Sequence, residues 1–78
     1  MTSNKEYLKN VGMEVRVARI RKGYTIPMLA KQTGLSEEPI GKLERGKSDF
    51  QIMTLKRIAD ALEKTVTDFF VVLQREQR

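Results

Sequence analysis

Apolar residues recur at three- and four-residue steps along most of the chain, the spacing of amphipathic helices. Leu8, Val11, Val15 and Ala18 mark one face of a first helix. Ser3 and Glu6 have capping-box spacing at its start, with Asn4 as a competing cap, and Gly23 stops it just after Arg21 and Lys22. A second helix follows Thr25, a good N-cap, and carries Pro27 in its first turn, where a missing N–H is tolerated. Leu29 and Ala30 are its core positions, and Gly34 can take the left-handed conformation of a tight turn. A third helix is expected from a Ser36 cap to Gly46, with Ile40 and Leu43 pointing inward and Pro39 still in the first turn.

Ile52, Leu55, Ile58, Ala59 and Leu62 form a fourth stripe after the connection KSDFQ. Thr65, with Asp68 three residues on, caps a fifth helix over about 66–75, where Val66, Phe69, Phe70 and Leu73 share a face. The tail QREQR is polar and expected to fray. FFVVL has strand-like composition, but its stripe favours helix. No linker, repeat or low-complexity segment interrupts the pattern. The expected fold is therefore all-α, five helices in a single domain spanning 1–78.

Composition narrows the chemistry. With 78 residues the core is small, so burial against a second copy is plausible. There is no cysteine and no histidine, which removes disulfides, thiolate metal sites and the commonest general base. We expect no metal, no cofactor and no enzymatic activity. No apolar run reaches a membrane span and MTSNKEYLKN is unlike a signal peptide, so the expected compartment is the cytoplasm. The net charge of +5 suits a polyanionic partner, double-stranded DNA foremost, although solubility alone could also explain it.

The second helix, the Gly34 turn and the third helix, about 26–46, have the layout of a helix-turn-helix. Leu35 would plug the angle and Ala30 would be small where the helices cross. From about Gly12 to Phe70 the chain resembles XRE-type regulators, the fold of phage repressors and small restriction-modification controller proteins. VRVARIRKGYT resembles the first helix of that family, LAKQTGLS the second helix and turn, IGKLERG the recognition helix, and LKRIADALEKTVTDFF the last two helices. The short length and SDFQIMTL look most like the controller-type members.

The resemblance implies a DNA-reading role for the outer face of the third helix. By position, Glu37, Glu38, Pro39, Gly41, Lys42 and Arg45 are candidates for that face; the base-reading candidates are Glu37, Glu38, Lys42 and Arg45. A glutamate can accept from cytosine N4, but two carboxylates at a helix start are also simply stabilised by its dipole. Phosphate candidates are Thr25, Lys31, Ser36, Lys47 and Ser48. Ile26 stands where the family often has glutamine, which puts one usual phosphate contact in doubt. Arg19 and Glu44 match a pair that joins the first and third helices in many members; the alternative is two solvated charges.

Phe69, Phe70, Val72 and Leu73 are the candidate dimer interface, as in controller-type relatives, unless the fifth helix merely closes the monomer core. Met13, Val17 and Ile20 form a further apolar stripe on the first helix, which would suit a protein partner if exposed. Two functions follow: a sequence-specific regulator binding a palindromic site as a homodimer, or a protein-interaction module on the same scaffold with weakened DNA binding.

Overall fold

The computed structural model describes residues 4–47 and 50–70. Four α-helices run in order: α1 (Asn4–Arg21), α2 (Ile26–Thr33), α3 (Glu37–Arg45) and α4 (Ile52–Ala61). A 3-10 helix, Val66–Phe70, follows them. Among the described residues there is no strand, so the expected fold class stands. The fifth element differs from the helix expected over 66–75. Asp68 donates its N–H to the Thr65 carbonyl at 3.1 Å, the three-residue spacing of a 3-10 turn. Its carboxylate accepts the Thr65 N–H at 2.8 Å, and that bond holds the Asp68 carboxyl below its ordinary range. Residues 71–75 lie outside the described residues, as does Ser3.

One core joins every element: Val11 and Val15 from α1, Leu29 and Ala30 from α2, Ile40 and Leu43 from α3, Leu55, Ile58 and Ala59 from α4, then Leu62 and Phe69. Ile52, expected in the fourth stripe, is instead 58% exposed. It opens α4, one turn before Leu55 makes the first inward contact.

The tightest packing is between α1 and α3. Gly12 lies so close that a Cβ there would stand 2.3 Å from the Leu43 carbonyl oxygen and 2.6 Å from that of Glu44. At the end of α3, Gly46 has φ 65° and its N–H donates to the Leu43 carbonyl at 3.1 Å, while Lys47 N–H reaches Lys42 at 3.1 Å. These are the paired bonds of a Schellman cap. A Cβ on Gly46 would meet the Lys9 Cα at 2.7 Å, so this glycine is set both by its left-handed backbone and by α1.

Arg19 completes the junction. Its Nε donates to Glu44 Oε2 at 2.7 Å and Nη2 to Oε1 at 3.0 Å, a two-pronged pair. Nη1 donates to the Tyr24 carbonyl at 2.9 Å, tying in the exit of α1. The two side chains are 12% and 5% exposed, so the pair is buried rather than solvated. The hydrogen bond to Glu44 raises the Arg19 pKa above its ordinary value.

Two stability measurements check this junction. Arg19→Ala leaves the Glu44 carboxylate buried without its partner, and urea unfolding is expected to show a loss of about 3–5 kcal/mol. Wild-type stability would show that the pair contributes nothing. Gly12→Ala forces α1 away from α3, an overpacking loss of about 1–3 kcal/mol. At about 4–8 °C per kcal/mol for a domain this size, its melting temperature should fall clearly below wild type. An unchanged melting point would contradict the close approach.

Candidate nucleic-acid interface

The helix-turn-helix is fastened by short-range hydrogen bonds. Thr25 adopts extended backbone and its hydroxyl accepts the Met28 N–H at 3.2 Å, capping α2 as expected. Gly34 has φ 76° and donates its N–H to the Ala30 carbonyl at 2.9 Å. Thr33 adds a tie that the sequence reading missed. Its hydroxyl lies within hydrogen-bonding reach of the Leu29 and Ala30 carbonyls and accepts the Leu35 N–H at 3.2 Å. A threonine immediately before a left-handed glycine was the available signal. Leu35 is half-buried against the core, as a plug between the helices should be.

Turning α3 by its core contacts leaves Glu37, Glu38, Lys42 and Arg45 on the exposed face, where the base-reading candidates were expected. Gly41 is a correction: it is buried. The Arg45 guanidinium lies back over it, with Nη1 3.0 Å from where a Cβ would be. Pro39 is half-buried. Ser36 has the extended backbone of an N-cap, but its hydroxyl makes no cap hydrogen bond, unlike Thr25. Glu37 and Glu38 occupy the first turn of α3, where the helix dipole favours carboxylates.

Charge along this surface is therefore polar: acidic at the start of α3 and basic at its end. The basic end is larger than the sequence indicated. Lys5 and Lys9 of α1 line one open groove of about 520 Å³ together with Arg45, Gly46 and Lys47. In the sequence alone these two lysines are only cations near the start of the chain. Among the phosphate candidates, Thr25, Lys31, Ser36 and Lys47 are exposed, and Ser48 lies outside the described residues. Ile26 packs half-buried against the core, which accounts for an apolar residue at the start of α2.

The candidate dimer face changes more. Phe69 is 2% exposed and fills the monomer core, so it presents no surface to a partner. Phe70 is half-buried, its ring 5.8 Å from that of Tyr7. Val72 and Leu73 lie outside the described residues. Large exposed apolar side chains occur instead at Ile52 and Met53, the first turn of α4. Their neighbours in the sequence had suggested an inward stripe, which hid this surface. Met13 and Ile20 are 53% and 54% exposed, and Val17 is half-buried beside them. Among the described residues no helix is long and apolar enough to cross a membrane.

Comparison with known proteins places this geometry. The HTH_3 helix-turn-helix family model matches residues 15–69. The transcriptional regulator SlrR of Bacillus subtilis is 36% identical over 61 residues, 77% of this chain and 40% of its own length. An HTH_3 family transcriptional regulator from Vibrio cholerae superposes with a TM-score of 0.81 at 29% identity, over 88% of this chain and 39% of that one. The chain thus spans about two fifths of the length of these two regulators. The restriction-modification controller protein C.AhdI from Aeromonas hydrophila gives a TM-score of 0.76 at 27% identity, over 80% of this chain and 94% of its own. A point mutant of the controller C.Esp1396I gives 0.78 at 30%, over 97% and 94%. With more than half of its length matched, the chain belongs to the HTH_3, or XRE-type, helix-turn-helix family.

Proposed function

We propose that the protein binds DNA sequence-specifically as a homodimer on a palindromic site. The observation that carries this reading is the exposed face of α3, held rigidly outward by the buried Arg19–Glu44 pair. Lys42 is the main base reader, with Glu37 and Glu38 as acceptors for cytosine N4 at the helix start. Arg45 belongs with the basic groove at the end of the helix. Thr25, Lys31, Ser36, Lys47 and Ser48 are assigned to the phosphates, which fix position without reading sequence.

Dimerisation is supported by the small core and by the exposed apolar side chains at Ile52 and Met53, with Phe70 half-buried and Val72 and Leu73 following in sequence. A two-fold dimer would set its reading helices about one DNA turn apart, roughly 34–36 Å, and so select a palindrome. The exposed stripe at Met13, Val17 and Ile20 lies on α1, outside the helix-turn-helix. It offers a protein contact in addition to the DNA surface, not in place of it. The proposal involves no catalysis, metal or cofactor and places the protein in the cytoplasm with its DNA.

Selection from a pool of random duplexes tests the reading. The expected result is a two-fold symmetric motif; no enrichment by folded protein would contradict it. On the selected motif, Lys42→Ala should cost about 1–3 kcal/mol and relax preference at one position of each half-site. Lys47→Ala should weaken all sequences alike. Glu37→Gln with Glu38→Gln should change the selected bases or raise non-specific affinity, because two carboxylates no longer oppose the phosphates. Unchanged binding by that double variant would remove both residues from the interface.

A further inference from the structure

We propose that Lys5 and Lys9 form, with Arg45 and Lys47, a second phosphate clamp that grips the DNA backbone beside the C-terminal end of α3. This inference rests on the DNA-binding reading above and extends it to residues ahead of the family-matched segment 15–69.

Three observations carry it. First, the four cations line one open groove, and among the described residues no carboxylate lines it. Second, the groove is built and not incidental. Lys9 packs against Gly46 by backbone contact, so the Lys9 face of α1 and the Lys47 exit of α3 are held side by side. Third, the charges are placed against local preference. Lys5 sits in the first turn of α1, the positive end of its own helix, and Lys9 follows one turn later on the same side. Each disfavours the other, and both face Arg45 and Lys47. An external polyanion relieves that repulsion. Arg45 and Lys47 are explained by the negative end of α3; Lys5 and Lys9 are not.

The occupant is the backbone of the duplex already bound by α3. The groove adjoins the end of that helix, whereas Glu37 and Glu38 repel phosphate at its start. A clamp at the basic end supplies affinity that the acidic start withholds.

The test is a salt titration with a short duplex of random sequence as the probe. Wild type, Lys5→Gln with Lys9→Gln, and a charge-matched control, Lys56→Gln with Lys64→Gln, are compared after circular dichroism shows each is folded. Two lost phosphate contacts should reduce the magnitude of the slope of log K against log salt by about 1.8. The affinity advantage of wild type over the variant should therefore shrink about twelvefold between about 50 and 200 mM salt. The control should keep the wild-type slope. If the Lys5/Lys9 variant keeps it too, or the control loses as much, the clamp is overturned and the DNA-binding reading survives. If wild type binds no duplex at low salt, the DNA-binding reading itself fails and the clamp with it.

Discussion

The close approach of α1 to α3 is the constraint on which the rest depends. Gly12 lets the two backbones meet, Arg19 ties the far end of α1 back to Glu44, and Gly46 rests on Lys9. A short helix with a thin core behind it would otherwise roll, and rolling would move every outward side chain at once. Ile40 and Leu43 alone fix depth, but a two-pronged charge pair also fixes rotation. Because the pair is buried, its worth lies in orientation; an apolar substitute of the same shape could match its stability.

That rigidity gives the uneven charge of α3 its meaning. The carboxylates of Glu37 and Glu38 are held at the mouth of any groove the helix enters. They satisfy the dipole of their own helix whether or not DNA is present. A DNA-binding surface can carry such a start if affinity is gathered elsewhere, and here the basic residues gather at the opposite end. On the proposed function, long-range attraction and base discrimination would be divided between two parts of one face.

Much of this was legible in the residues. Thr25, Gly34 and Gly46 announced the ends of the helix-turn-helix because capping and left-handed turns depend on a few neighbouring atoms. The Arg19–Glu44 pair was legible through resemblance. What sequence did not show was determined across the fold. Gly12 looks like a weak point in a helix until the α3 backbone is placed against it. Lys5 and Lys9 are unremarkable cations until α1 crosses the end of α3. Periodicity marks apolar faces but not where the core ends, so Phe69, which could have served a dimer face or closed the monomer core, does the latter, and Ile52, expected inside, is exposed.

The most direct measurement of the central claim is a nuclear magnetic resonance titration of isotope-labelled protein with duplex DNA, following every backbone amide. The account predicts shifts concentrated at the start of α2, along the outer face of α3 and at Gly46 and Lys47, with Arg19 and Tyr24 little changed. Shifts confined to the Met13–Ile20 side of α1, or none at all, would contradict it.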